Sequence, residues 1–574
     1  MGERARERGW CVVPRNAAAL AGIGIALVAC SSSGTATVDA GPHGVVHDGG
    51  VDAHALGDAR PSKDAHDARP ASDAPSVKDA HSPGDTMTES SAKDASIADA
   101  GPDNPCLPFT MPAADALFGS SKKVFAHYFY PFPLSEDNQP SATDYYNEQY
   151  LTTTGESDKW IKQGGYLRQR PLPVPIGAPA TYQIDNMKRE VELAIAGGIT
   201  GFTIDVLGAS QANAGSQLAN LLTAAAAVDS RFRIVVMPDL SALSEADAGG
   251  EASEVEAIIA SVASSPAAYR LGDGRLVVSS FYAELQPPSW WTTVLQNLAG
   301  RGINVAFVPV FLNYAANQAA FTPISYGLSL WGTATPGAAT STQALPGPAH
   351  TAGEIFMMPI LSQQYRPKDF LYWESGNSET LRDAWTSAIQ GGADWTQIVT
   401  WSDFSESGEI EPFTDSTLAP DIGTGYYDVN AYYASWFLTG QAPTITNDVL
   451  YYFYRREPTS AVAPAQAQAT TVQGGTVAEN DIELLAFLKA PGTLTITVGG
   501  QTSTQAAPAG ITSLKMALQP GTPTFTLARG GASIVSLQGG IEIYGDGGLP
   551  SGVLDLTYWS GSASASGTCA LTVP

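Results

Sequence analysis

Past residue 105, short apolar runs recur along the chain with helical stretches between many of them, the alternation expected of a parallel sheet. The pattern predicts eight strands, at residues 124–129, 201–207, 234–240, 276–281, 305–312, 327–331, 355–361 and 397–401. The intervals carry helical punctuation. Ile184, Met187, Val191 and Ile195 recur at helical spacing behind Thr181, and Gly197 with Gly198 stops the run. Similar stretches cover residues 212–227 and 378–390. Eight strands separated in this way predict an α/β fold, a closed (β/α)8 TIM barrel over residues 106–457.

After residue 458 the texture changes to period-two runs broken by Gly and Pro, at residues 493–498, 524–528, 541–544 and 553–558. This predicts a C-terminal antiparallel β-sandwich over residues 458–574. Its alternation of Thr, Ser and apolar residues offers few catalytic groups, so a packing partner is the first reading and a sugar-binding module the second.

The N-terminal hundred residues read differently. Arg4, Arg6, Arg8 and Arg15 precede an apolar run over residues 17–29, which is too short for a membrane span and ends in Leu27-Val28-Ala29-Cys30. That ending resembles a bacterial lipobox, which implies a signal peptide over residues 1–29, a lipid on Cys30 and an exported protein at the outer membrane or cell surface. Residues 30–105 are rich in Asp, Ala, Ser and Pro with almost no large apolar side chain, the composition of a disordered tether.

The formal charge is -26 over 574 residues, with no Lys/Arg cluster beyond the N-terminus, which argues against a nucleic-acid partner and suits a neutral one. Cys11 leaves with the signal and Cys30 carries lipid, so Cys106 and Cys569 are expected to pair in an oxidising export route. Five of the seven histidines fall in the tether, leaving His127 and His350 in the folded region. With no H-E-x-x-H, paired C-x-x-C, G-x-S-x-G or phosphate-loop motif, no metal or cofactor is expected.

Carboxylates and aromatics remain, the materials of glycan hydrolysis. Barrel enzymes take catalytic groups from the C-terminal strand ends. Those ends here supply Asp205, Asp239, Glu284, Asn313, Trp331 and Tyr365, and the last strand leads into TWSDFSESGE with Trp401, Asp403, Glu406 and Glu409. Asp403 and Glu406 are separated by two residues on a Gly/Ser-rich loop. Two neighbouring carboxyls push their pKa values apart, so one stays protonated while the other acts as base.

The stretch QIVTWSDFSES, followed by YYASWFLTGQAPTITNDVLYYFYRREP, resembles glycoside hydrolase family 71, the endo-acting α-1,3-glucanases or mutanases. VFAHYF, AIAGGITGFTIDVLG, DGRLVVSSFYAE and FMMPILSQQY are weaker matches in the same order. The resemblance implies a (β/α)8 barrel, inverting hydrolysis of α-1,3-glucan, and Asp403 and Glu406 as catalytic carboxylates. Glu406 is assigned as proton donor and Asp403 as base, with the reverse left open. His127, Asp205, Asp239, Tyr282, Glu284, Trp331, Tyr365 and Trp401 are then expected to line the sugar subsites of a monomeric enzyme anchored only by its lipid. Two departures stand out: Ser402 replaces the motif's usual Asn, and Gly408 occupies a position where His is common. A long first connection, residues 131–182 with Asp144, Tyr145, Tyr146 and Tyr150, is expected to reshape the cleft. The alternative is a noncatalytic glycan-binding lipoprotein.

Overall fold

The computed structural model describes residues 106–574 apart from residues 214, 244–249, 416–422, 546–551, 570, 572 and 574. The expected signal peptide, Cys30 and the tether lie outside the described residues. No helix among the described residues is long and apolar enough to cross a membrane.

Eight parallel strands close into a barrel in sequential order: β1 (Lys123–Tyr128), β2 (Gly201–Val206), β3 (Arg233–Pro238), β4 (Leu276–Ser280), β5 (Val305–Phe311), β6 (Gly327–Leu330), β7 (Ile355–Ile360) and β8 (Trp395–Ile398). Each strand sends alternate residues to opposite faces. From β2, Phe202, Ile204 and Val206 pack outward against the helices. Phe125, Val235, Met237, Val277, Val308 and Trp395 fill the interior. One interior layer is polar: the Gln397 Nε2 amide donates to Thr203 Oγ1 at 2.7 Å. The β8 ladder ends at Ile398, short of the expected residue 401, because the chain leaves it there. Thr400 N–H donates to Gly408 O (2.8 Å) and Trp401 N–H to His127 O (2.7 Å), turning the backbone across the barrel mouth.

The helix α1 (Tyr182–Ala196) follows its apolar spacing and ends at Gly197, where an added Cβ would meet the Tyr427 ring at 2.7 Å. α2 (Glu379–Gly391) ends at Gly392 in the left-handed region. α3 (Gly425–Thr439) is buried on nearly every side. A helix buried on nearly every side sits between layers. Tyr427 Oη donates to Leu193 O of α1 (2.7 Å), Trp385 Nε1 of α2 donates to Asn430 Oδ1 (3.1 Å), and Tyr426 packs 4.7 Å from Phe453. Each fully buried aromatic contributes about 1.5–3 kcal/mol.

Two antiparallel sheets follow. The first has the order β13 (Gly510–Ala517), β10 (Asp481–Leu488), β9 (Val449–Tyr454), β16 (Trp559–Ser564) and β17 (Gly567–Thr568). The second has the order β12 (Gln501–Ala507), β11 (Gly492–Val498), β14 (Thr524–Arg529) and β15 (Ala532–Gln538). They pack face to face, with Tyr452 stacked on Phe525 at 5.2 Å and 9°. The sandwich therefore draws its central strand, β9, from before residue 458.

Residues 541–544 and 553–558, expected as strands, do not join a ladder beyond one bridge between Gly521 and Ile543. The second segment is buried, and its backbone is satisfied by side chains instead. Leu554 O accepts from Arg168 Nε (3.0 Å) and Tyr365 Oη (2.8 Å), Leu556 O accepts from Arg455 Nε (3.0 Å), and Tyr558 N–H donates to Gln363 Oε1 (2.7 Å). The C-terminal region is thus tied to the loops at the barrel mouth. Cys106 and Cys569 are both buried, with the Cys569 thiol hydrogen-bonded to Cys106.

Candidate active site

Inward positions at the C-terminal strand ends bring His127, Asp205, Asp239 and Trp331 together, because each continues the interior face of its strand. His127 shares register with Thr203, and Asp205 lies two residues further along β2. The His127 ring meets Trp331 edge-on at 4.9 Å, and Trp331 meets Phe281 at the same separation. His127 Nε2 lies 4.0 Å from Asp205 Oδ1, too long for a hydrogen bond. Burial pushes the imidazole down to about 3 and Asp205 well above the carboxylate range, so this contact joins neutral groups and is no ion pair.

Asp205 is raised by burial, then by the nearby charges of Asp239 and Asp403, which puts three carboxyls within each other's field. Asp239 is pushed up to about 6 by burial, although its Oδ1 accepts from Ser241 N–H (2.8 Å) and Oγ (2.7 Å). Among the described residues, Asp205 Oδ1 and Asp239 Oδ2 are buried without a hydrogen-bond partner. Buried polar atoms of this kind are where a hydroxylated ligand would bind.

The loop after β8 carries the other two carboxyls. Asp403 N–H donates to Thr400 Oγ1 (2.8 Å), and Ser402 Oγ donates to Phe129 O (3.0 Å) while accepting from Phe129 N–H (3.2 Å). Ser402, where the motif usually has Asn, therefore pins the loop to the end of β1. Asp403 is buried, and its Oδ1 accepts from Ser405 N–H (3.0 Å) and Oγ (2.7 Å). Burial and the charge of Glu406 outweigh those donors and push Asp403 up to about 7.

Glu406 has different company. Its Oε2 accepts from Gln364 Nε2 (2.9 Å) and pairs with Arg366 Nη2 (2.8 Å). Arg366 is held by the short antiparallel pairing of Gln364–Arg366 with Leu371–Trp373, its guanidinium lying 5.1 Å from the Trp373 ring centre. Asp403 and Glu406 stand on one loop in different surroundings, the first buried with its pKa raised to about 7 and the second engaged by Gln364 and Arg366, an arrangement that can divide proton donation from water activation. Among the described residues, no group of three or more His, Cys, Asp or Glu is arranged to hold a metal ion.

Residues 175–572 match the family model of glycosyl hydrolase family 71. The chain belongs to that family. It is 24% identical over 382 residues to glucan endo-1,3-alpha-glucosidase agn1 of Schizosaccharomyces pombe, covering 63% of this chain and 88% of that protein. It is also 24% identical over 393 residues to a mutanase of Penicillium rubens, covering 64% and 83%. Among solved structures, the GH99 endo-alpha-mannosidase from Bacteroides thetaiotaomicron matches 55% of this chain and 97% of its own, with a TM-score of 0.42 and 14% identity.

In this family 71 glycoside hydrolase, Trp401 and Tyr365, expected at the subsites, take packing positions, and Glu284, Tyr282 and Glu409 are placed by their own contacts. Trp401 is fully buried on the outer side of the barrel, 5.3 Å from Phe202. Tyr365 is buried beneath the C-terminal segment, with its hydroxyl on Leu554 O. Glu284 accepts from Asn313 N–H (2.6 Å), tying together the loops after β4 and β5. Tyr282 packs partly buried against the interior cluster that includes Trp331. Glu409 is buried behind the loop, its Oε1 accepting from Gln169 Nε2 (3.0 Å).

Of the first connection, Asp144 is committed to a buried ion pair with Arg170 (2.7 Å), and Tyr146 lies under that guanidinium. Tyr166 is the part that reaches the site: the charge of Asp403 adds to burial in raising its hydroxyl pKa, and Trp160 stacks on its ring at 4.5 Å and 9°. Sequence reasoning passed over Tyr166, Gln364 and Arg366. The Ser405 hydroxyl favours the ionised form of Asp403. Ser405→Ala is therefore expected to move the titration of Asp403 upward by up to about one pH unit, read as a shift in the pH profile of kcat/KM.

Proposed function

We propose that this hydrolase cleaves α-1,3-glucan, or a closely related α-linked glucan, by an inverting two-carboxylate mechanism. The observation that carries the reading is the unequal electrostatic setting of Asp403 and Glu406 on one loop at the barrel mouth. The activities named for the two family relatives support the substrate. The environments favour Asp403 as the group that protonates the leaving oxygen and Glu406 as the base that activates water, the reverse of the order assigned from the motif. A carboxyl raised to about 7 still holds its proton in about half of the molecules at neutral pH, while the Gln364 amide and the Arg366 guanidinium both engage Glu406 Oε2. His127, Asp205, Asp239 and Trp331 would hold the sugar against them. Incubating purified protein with insoluble α-1,3-glucan tests the reading. Reducing ends should appear with inverted anomeric configuration, and no release from any α-glucan overturns it.

The lipobox-like ending at Cys30 supports export and a lipid anchor. In an oxidising compartment the neighbouring Cys106 and Cys569 would pair, closing a very long loop and contributing about 3–5 kcal/mol in the chain-entropy model. Intact mass of exported protein under non-reducing conditions should then show two hydrogens fewer than the free-thiol chain. Two alkylatable thiols would count against pairing.

A further inference from the structure

The second sheet of the sandwich uses only one face for packing. Leu494, Ile496, Phe525 and Leu527 are buried against the first sheet, which leaves the alternate positions outward. Register sets those positions in rows. One row crosses the sheet through Thr502, Thr497, Thr524 and Gln538. The next crosses through Thr504, Thr495, Thr526 and Ser536. Beyond it Thr493 sits between Ala506 and Ala528. All of these positions are partly or fully exposed.

The rows form a grid with spacings of ~4.8 Å between strands and ~6.8 Å along them. Its hydroxyls are ordered before any partner arrives. Thr495 and Thr504 lie 3.3 Å apart through their Oγ1 atoms, and Thr497 and Thr502 lie 3.2 Å apart. The β-branched side chains have few rotamers to lose, which lowers the cost of binding.

No charged side chain occupies these rows, although the chain carries a formal charge of -26. Neither β12 (QTSTQAA) nor β15 (ASIVSLQ) carries a charged residue, the common device that keeps an open sheet edge from association. A protein interface would need aromatic or Arg anchors, a nucleic acid would need cations, and a lipid surface would need apolar or basic groups. The rows supply none of these. An uncharged grid of hydroxyls and methyls on an outward sheet face is complementary to an uncharged, hydroxyl-lined solid, where many weak contacts add because they form together.

We infer that this face adsorbs the enzyme onto a neutral insoluble polysaccharide, with insoluble α-1,3-glucan as the occupant; the choice of polymer rests on the functional reading above. Thr504→Lys combined with Ser536→Lys tests it at two exposed, well-separated edge positions. Thr497→Lys alone is the second variant, and melting curves check that each folds.

Depletion of the full chain from solution by insoluble α-1,3-glucan should weaken at least about tenfold in the double variant, as expected when ordered hydroxyl contacts are displaced. Cleavage of soluble α-1,3-linked oligosaccharides should remain unchanged. Adsorption of the parent should also persist between about 0.05 and 0.5 M salt, because no ion pairs are involved. Adsorption that is equal in parent and variants, or that disappears with salt, overturns the inference. So does a dimer of the parent that the substitutions dissociate while adsorption persists, since the face would then bind a second copy of the chain. Failure to cleave any soluble or insoluble α-glucan would instead overturn the functional reading, with adsorption scored separately.

Discussion

Asp403→Asn and Glu406→Gln are each expected to lower turnover on α-glucan by about 100–10,000-fold while leaving the fold intact, the range for removing a general acid or base. The two losses should differ in kind. If Asp403 donates the proton, its variant should recover much of its rate on an α-glycosyl fluoride, whose leaving group needs no protonation. Glu406→Gln should not recover, because the attacking water still lacks a base. The alkaline limb of the wild-type pH profile should fall near the Asp403 value of about 7, since the donor must carry its proton. Melting temperature should hold or rise in Asp403→Asn, because the amide removes a buried group that burial penalises when ionised. Rescue of Glu406→Gln and not of Asp403→Asn would restore the order assigned from the motif. Losses below about tenfold in both variants would remove the pair from catalysis.

The barrel was legible because its strands are apolar runs spaced by recognisable helices; all eight expected strands occur, with ends displaced by up to three residues. The differences between expected and observed placement have physical causes. Tyr365 was chosen as the aromatic residue after β7, but in an extended segment its neighbours point the other way, so Gln364 and Arg366 reach Glu406 while Tyr365 enters the core. Trp401 follows the same logic: an indole beside the motif is as useful for packing as for sugar, and here it packs on Phe202. No local pattern could show that residues 553–558 satisfy their backbone with Arg168, Tyr365, Gln363 and Arg455, since those partners lie about 100–390 positions away in sequence. Arg366 was hidden likewise, because a positive side chain beside a carboxylate is decided by the hairpin that brings it there.

Alkaline pH is expected to destabilise this protein before it unfolds the site by any other route. Behind the loop after β8, Glu190 and Glu409 are each pushed up to about 8 by burial, and Glu411 is raised well above the carboxylate range by burial and then by the charges of Glu190 and Glu409. Hydrogen bonds soften but do not cancel this: Tyr128 Oη donates to Glu190 Oε2 at 2.9 Å and Gln169 to Glu409. Both Glu411 oxygens are buried without a partner among the described residues. In the folded chain these groups hold protons that the unfolded chain releases near pH ~4.3. Between that value and about 8 the folded state binds more protons than the unfolded, so the derivative of unfolding free energy with pH is negative. The stabilisation is complete below the unfolded pKa and is lost as pH rises through the folded one. Glu190 and Glu409 each contribute on the order of 4 kcal/mol to the difference, and Glu411 acts in the same direction. Glu374 acts in the opposite window. Burial works to raise it, but the charge and hydrogen bonds of Arg455 bring it below its ordinary value, so its contribution is present at neutral pH and lost on acidification. Melting temperature should therefore peak in mildly acidic buffer and fall by about 5–10 °C between pH ~5 and ~8.5. Glu409→Gln, which keeps an acceptor for Gln169 and removes the ionising proton, should raise the melting temperature at pH ~8.5 and leave it nearly unchanged at pH ~5. A melting temperature that rises steadily across that interval would mean that these carboxyls are ionised in the folded protein and that cations or water reach them.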